Sequence, residues 1–283
     1  MDIYSPEGIK RILSEKGYFL SKTRGQNYLV NKNLAYKIAE IISKTIENQE
    51  IEVIEVGSGL GSITIPLAER FPKVISIEID KGIYECLIKI VKESNLENKI
   101  NLINKDFLKM KPNEITQSQK TYIFVSNLPY SVGGEILRKV IYEYNIEHIF
   151  VMVQKEFFER MIAKPDTENY SLLSVMSQLN TKKIKKLLDI SRNNFFPIPS
   201  VDSVFLHIVK SENLVDNNTL DYIVKFFSNR RKNLLNSITL SCRIDKTSAK
   251  NILDTLGIDY NKRIENLTPQ EILTLTKFIE KQI

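Results

Sequence analysis

An α/β fold, a doubly wound and mostly parallel sheet followed by a small helical domain, is what this sequence predicts, on three observations. Five or more short apolar runs alternate with stretches of helical spacing, the pattern of strand–helix–strand units. One of these runs, Ile51 to Val56, passes directly into Gly57-Ser-Gly59-Leu-Gly61 and then into a helical pattern from Ile63 to Arg70. From about residue 211 the strand signals stop, and helical patterns with Asn- and Lys-rich joins remain. The expected division is a domain over 1–210, with a helical and basic segment 1–48 at its start, and a helical domain over 211–283.

Length and composition agree with this. A chain of 283 residues can bury a large core and a second, smaller one. Lys and Arg number 40 against 34 Asp and Glu, a net charge of +6 that suits a polyanionic partner. The two cysteines, Cys86 and Cys242, lie far apart and have no Cys or His neighbours at ligand spacing, so neither a disulfide framework nor a metal site is expected. The opening Met1-Asp-Ile-Tyr-Ser-Pro has no signal-peptide pattern, and no apolar run approaches membrane-spanning length. The expectation is a soluble cytoplasmic protein with no membrane partner.

Taken in order, residues 6–17 read as a short amphipathic helix opening at Pro6 and ending at Gly17. A polar and basic stretch, Ser21 to Val30, turns apolar at its end; residues 32–48 resume helical spacing, with Leu34, Ile38, Ile41 and Ile42 on one face. The glycine-rich turn after Ile51–Val56 lets a ligand approach the backbone closely. Its G-x-G-x-G spacing differs from the dinucleotide fingerprint, and no Lys-Ser/Thr follows to make a P-loop. The second strand, Lys73 to Ile79, delivers Glu78 and Asp80 about twenty residues on, where a carboxylate can accept from both hydroxyls of a ribose. The third, Ile100 to Asn104, ends near Asp106, which could accept from an adenine amine, with Phe107 beside the ring.

The fourth strand, Tyr122 to Val125, runs into Asn127-Leu128-Pro129-Tyr130. These four residues suit a planar ring bearing an exocyclic amine. The Asn127 side-chain oxygen and the Leu128 carbonyl, stiffened by Pro129, can each accept one amine hydrogen, and Tyr130 can stack on the ring. A fifth strand spans Ile149 to Val153, a helix covers Asn169 to Ser177, and 182–190 and 201–209 read as a final, antiparallel-looking pair. Between these two lies Phe195-Phe-Pro-Ile-Pro-Ser200, a candidate second aromatic wall. His148 and His207, within or beside apolar runs, read as structural. Arg230, Arg231 and Lys232 read as adjacent cations on a helix, a solvated face or a phosphate contact.

Several ordered segments together resemble one family. They are Gly25-Gln-Asn-Tyr-Leu-Val30, Glu55-Val-Gly-Ser-Gly-Leu-Gly61, Ile77-Glu-Ile-Asp80, Asp106 and Asn127-Leu-Pro-Tyr130. Further on come Gln154-Lys-Glu156 with Arg160, Phe195 to Ser203, and Phe227-Ser-Asn-Arg-Arg-Lys232. The combination resembles the small-subunit ribosomal RNA adenine N6,N6-dimethyltransferases over nearly the whole chain. The resemblance implies a Rossmann-like class I S-adenosylmethionine-dependent methyltransferase sheet with helices on both faces and a helical RNA-binding domain after it. It also implies dimethylation of two adjacent adenosines near the 3′ end of 16S rRNA in the immature small subunit, by a monomer, with no metal. Carried over by motif, Asn27, Leu29, Gly57, Glu78, Asp106 and Asn127 would contact the cofactor. Asn127, Leu128, Pro129, Tyr130 and Phe195 would form the catalytic base pocket. The RNA-facing surface is inferred from charge alone, from the cations Lys22, Arg24, Arg230, Arg231 and Lys232. Two departures stand out: Ser58 where the family often has Pro, and Ser131-Val-Gly-Gly134 after the tetrapeptide. Two other readings share these motifs, a 23S rRNA adenine dimethyltransferase of the macrolide-resistance type and a non-catalytic RNA-binding assembly factor.

Overall fold

The computed structural model describes residues 1–18, 27–46 and 50–282. Lys22, Arg24 and the start of the Gly25–Val30 motif lie outside them. The chain opens with α1 (Pro6–Ser14), β1 (Tyr28–Leu29) and α2 (Lys32–Thr45). Alternating units follow: β2 (Glu52–Val56), α3 (Thr64–Arg70), β3 (Val74–Glu78), α4 (Lys81–Glu93) and β4 (Ile100–Asn104). Then come β5 (Tyr122–Asn127), α5 (Gly133–Glu143), β6 (His148–Gln154), α6 (Lys155–Met161), α7 (Leu172–Leu179) and β7 (Thr181–Ile190). The chain closes with β8 (Phe195–Phe196), β9 (Ser203–Lys210), α8 (Asn217–Ser228), α9 (Leu234–Cys242), α10 (Lys246–Thr255) and α11 (Pro269–Gln282).

Seven strands form one sheet in the order β4-β3-β2-β5-β6-β9-β7, with β4 to β6 mutually parallel and β9 antiparallel to β6. Every residue of β2 and β3 is buried, as expected of parallel strands covered on both faces. β1 and β8 form a separate two-stranded ladder. Helix starts follow side-chain chemistry: Asn31 caps α2 through Leu34 N–H, and Asp80 caps α4 through the N–H groups of Gly82 and Ile83. Pro6 opens α1, and the turn after it closes at Gly17 with φ +70°. His148 Nδ1 and His207 Nε2 are 3.0 Å apart, and the His207 ring stacks on Phe150 at 4.4 Å, so both sit in a packed structural setting.

The contacts divide the chain into two units, Met1–Lys155 with Ile184–Lys210, and Glu156–Lys183 with Ser211–Ile283. This differs from the expected 1–210 and 211–283 in one respect, the grouping of 156–183 with the helical end. Asn180 shows why. It is buried, accepts from Val215 N–H at 2.9 Å, donates to the Met176 carbonyl at 2.8 Å, and offers its own carbonyl to Ser211 N–H at 2.9 Å. Tyr170 adds a bond to the Leu267 carbonyl at 2.8 Å, within a core that also holds Val175, Phe226, Ile238 and Leu275. The basic triplet 230–232 lies in the turn between α8 and α9, exposed, and not on a helix. Asn229 terminates α8 and Asn233 caps α9, so no helical turn is left for the cations.

Replacing Asn180 by Ala strands the Val215 N–H in a buried position. We expect a loss of about 2 kcal/mol in urea unfolding, and an unchanged midpoint would refute the stitching role.

Candidate active site

The parallel strands finish along one edge of the sheet, and the strand order reverses between β2 and β5. Such a reversal leaves a crevice beyond the strand ends. Val56 pairs with Ser126, and the Ser126 hydroxyl donates to the Val56 carbonyl at 2.7 Å, so Gly57 and Asn127 leave the sheet side by side. A cavity of about 730 Å³ opens there. It is lined by Gly57 and Gly59 after β2, by Glu78 to Ile83 at the β3–α4 junction and by Asn127 to Val132 after β5, with Tyr18, Asn27 and Tyr28. Its size is that of a small-molecule or cofactor site.

The glycine turn is built for close approach. Gly57 has φ +77°, and a Cβ placed on it would have only the Asn127 carbonyl oxygen within 4 Å, at 3.8 Å. Glycine is needed here for its backbone conformation, and the space it leaves belongs to the cavity. Glu78, 7 % exposed, accepts from Gly59 N–H through one oxygen and from Asp80 N–H through the other, both at 2.9 Å. Burial raises its pKa above the ordinary carboxylate value, and those two bonds oppose the rise.

Beneath the turn lies a second acid. Glu55 is buried, accepts from the Thr64 hydroxyl at 2.6 Å and from the Ser76 hydroxyl at 3.4 Å, and Ser76 in turn is hydrogen-bonded to Ser58. Burial pushes Glu55 up to about 8, so it is neutral at pH 7. Ser58 thus places a hydroxyl in this buried network.

Asn127 proves to be the last residue of β5. Its amide nitrogen donates to the Asn27 carbonyl at 3.3 Å, which orients the amide and leaves Oδ1 as its accepting side. Leu128 N–H bonds the Met152 carbonyl at 3.0 Å, and the Pro129 carbonyl accepts from Gly133 N–H at 2.8 Å as α5 begins. A Cβ at Gly133 would stand 3.1 Å from Leu128 Cβ, so the departure at 131–134 supplies a glycine where the turn packs tightly. Tyr130 is half-buried, hydrogen-bonded to Ser203, and its phenol is raised by burial.

The cavity therefore gathers Asn27, Gly57, Glu78, Asn127, Leu128, Pro129 and Tyr130 of the residues expected from sequence. Three are not in its lining. Leu29 and Phe195 are Cα partners in the β1–β8 ladder, 1 % and 2 % exposed, and both turn into the core. Successive strand residues face opposite ways, so it is Tyr28 that reaches the cavity. Asp106 caps the short turn 107–109 through Leu108 N–H at 3.0 Å, and the Phe107 ring is buried and stacks on Tyr144 at 5.4 Å. Tyr18, Tyr28 and Ile79 were not expected. Only the aromatic character of the first two was visible in sequence.

A dimethyladenosine transferase from Plasmodium falciparum superposes with a TM-score of 0.74 at 26 % identity, covering 89 % of this chain and 98 % of that one. Together with the sheet order and the glycine turn, this places the chain among the Rossmann-like methyltransferases. The family model for ribosomal RNA adenine dimethylases matches residues 20–281. Ribosomal RNA small subunit methyltransferase A of Clostridium botulinum (strain Kyoto / Type A2) is 35 % identical over 282 residues, 95 % of this chain and 98 % of its own. The protein of the same name from Mycoplasmopsis synoviae (strain 53) is 34 % identical over 264 residues, 91 % of this chain and 96 % of its own. The chain belongs to the ribosomal RNA adenine dimethylase family and is a methyltransferase.

The buried Glu55 makes a pH prediction. Its folded pKa, about 8, lies above the ordinary 4.5, so the native state binds more protons than the unfolded one between those values. Its contribution to stability is complete below about pH 4.5 and is lost as pH rises toward 8. Glu55→Gln, which cannot ionise, should flatten the fall in melting temperature across that window. An unchanged slope would place the titration elsewhere.

Proposed function

We propose that this protein uses S-adenosylmethionine to dimethylate the N6 amines of two adjacent adenosines near the 3′ end of 16S rRNA, on the immature small subunit. The observation that carries this reading is the oriented amide of Asn127 at the mouth of the cofactor crevice, ahead of Leu128 and Tyr130. The names of the curated relatives favour small-subunit RNA over the large-subunit alternative. The intact glycine turn and Asn-Leu-Pro-Tyr segment favour an enzyme over a binding-only factor. We propose that it acts as a monomer. The proposed compartment is the cytoplasm, that of the substrate; among the described residues no helix is long and apolar enough to cross a membrane.

The site fits the donor. Gly57 leaves the cradle open, and Glu78, with each oxygen taking one backbone N–H, keeps lone pairs for a ribose diol. When bound, S-adenosylmethionine supplies an electrophilic methyl group on a sulfonium sulfur. Asn127 Oδ1 and the Leu128 carbonyl then accept the two hydrogens of the target amine. Holding those hydrogens out of the ring plane localises the nitrogen lone pair for attack. Tyr130 stacks on the extruded base, as enzymes acting on a base within RNA require. Catalysis comes from positioning and from these fixed acceptors. Phe195, in the core beside Leu29, braces the β1–β8 ladder in this conformation, so Tyr130 carries the stacking here. The exposed cations 230–232 are proposed to contact phosphates.

The test uses radiolabelled S-adenosylmethionine with small subunits lacking the modification, and large subunits in parallel. Dimethyladenosine in small-subunit RNA alone is expected; label only in large-subunit RNA, or none in either, would overturn the reading. In the same assay Asn127→Ala should lower kcat by about 100-fold, while calorimetry still detects cofactor binding.

A further inference from the structure

The first eighteen residues lie before the matched region, which begins at residue 20, yet they are tied to the cofactor end of the molecule. α1 buries Ile9, Ile12 and Leu13 in the core. The Tyr4 hydroxyl donates to the Ser62 carbonyl at 3.0 Å, just past the glycine turn. The N-terminal ammonium meets Glu93 at 3.0 Å, and Cys86 Sγ of α4 lies 3.9 Å from the Ile12 carbonyl. Tyr18 N–H returns to the Leu13 carbonyl at 3.0 Å, closing the turn through Gly17. The helix and its terminal turn therefore deliver Tyr18 to one place.

That place is the wall of the cavity. The Tyr18 ring is half-buried and lies directly over Gly82 at the start of α4: a Cβ built on Gly82 would meet ring carbons at 2.1 to 2.5 Å. In the same wall Ile79 is 65 % exposed, an apolar side chain standing open to the cavity. Sheet order fixes which end of a ligand this would be. β3 is two strands from β5, and with neighbours about 4.8 Å apart its end lies roughly 10 Å from Asn127. A methyl group presented at Asn127 puts the sulfur at that end and the ribose at Glu78. The purine then falls beyond Glu78, toward Ile79 and Gly82.

We propose that Tyr18 is a cofactor-binding residue, its ring forming the aromatic wall of the purine end of the cavity, and that residue 82 is glycine to admit it. The inference rests on the reading of the cofactor as S-adenosylmethionine. A flat, polarisable ring against a purine recovers stacking as well as burial, and the phenol oxygen is not required for it.

Calorimetric titration with S-adenosylhomocysteine tests this on the full chain. Tyr18→Ala should bind about ten-fold more weakly or worse, and Tyr18→Phe within about two-fold of the parent, since it keeps the ring. Gly82→Ala keeps the tyrosine but displaces its ring. Alanine is the better helix former, so this variant folds while weakening cofactor binding as Tyr18→Ala does. In turnover the cofactor KM should rise, with kcat at saturating cofactor and the KM for RNA unchanged. If Tyr18→Ala melts at assay temperature, Gly82→Ala and Tyr18→Phe decide the matter. Parent-like binding by Gly82→Ala and Tyr18→Ala, or an equal rise in both KM values, would overturn the proposal. Failure of the folded parent to bind S-adenosylhomocysteine would overturn the cofactor reading and this one with it.

Discussion

The carboxylate of Glu78 sits almost out of reach of water, and the geometry of the cavity follows from how it is satisfied. A buried carboxylate is tolerated only where donors replace its lost hydration. Here the two donors come from different pieces of backbone, Gly59 in the turn after β2 and Asp80 at the end of β3. One side chain thus clamps the glycine turn to the adjacent strand end. Once Asp80 is held, its own carboxylate caps α4 through Gly82 and Ile83. Two acids two residues apart, on the same stretch of backbone, have different work: the first shapes the ligand cradle and the second starts the helix that walls it.

The second layer explains why the turn is stiff. Glu55 is too deeply buried to stay ionised at neutral pH, and a neutral acid can donate as well as accept. Thr64 at the start of α3, Ser76 within β3 and Ser58 in the turn itself all meet in its network. Keeping Glu55 neutral also keeps a second negative charge away from Glu78, whose field would otherwise raise both acids further. The glycines give the turn its path, and the hydroxyls give it one conformation.

Much of this was legible in the chain. Strands β2, β3, β5 and β6 announce themselves as apolar runs because both faces of a parallel strand are buried. The glycine turn, Glu78 and Asn127 follow from position at the ends of those runs. What could not be read was orientation set from a distance. Whether Tyr28 or Leu29 faces the cavity is decided by a two-residue ladder with Phe195 and Phe196, more than 160 positions away. Asp106 has the right place on the sheet edge, and that one of its oxygens also caps a local turn shows only in the fold. Likewise 156–183 has ordinary local patterns, and long-range bonds such as those of Tyr170 and Asn180 assign it to the helical unit.

On the proposed reading the described residues place no strong base beside the target amine, and the chemistry explains why none is needed. Attack on the methyl group makes the nitrogen cationic, so its proton becomes acidic without help. Tyr130 is unsuited to removing it in any case: burial raises its phenol above the ordinary value of 10, and the ring stays neutral at physiological pH. A neutral ring is also the better stacking surface for a base whose nitrogen is about to become positive, because the aromatic face is electron-rich. The polar groups that do face the amine, Asn127 Oδ1 and the Leu128 carbonyl, carry no titratable proton. Their alignment depends on fixed bonds, from Asn127 to Asn27 and from Leu128 to Met152. The site works by holding uncharged acceptors still, which is a task for a sheet edge and not for a mobile loop.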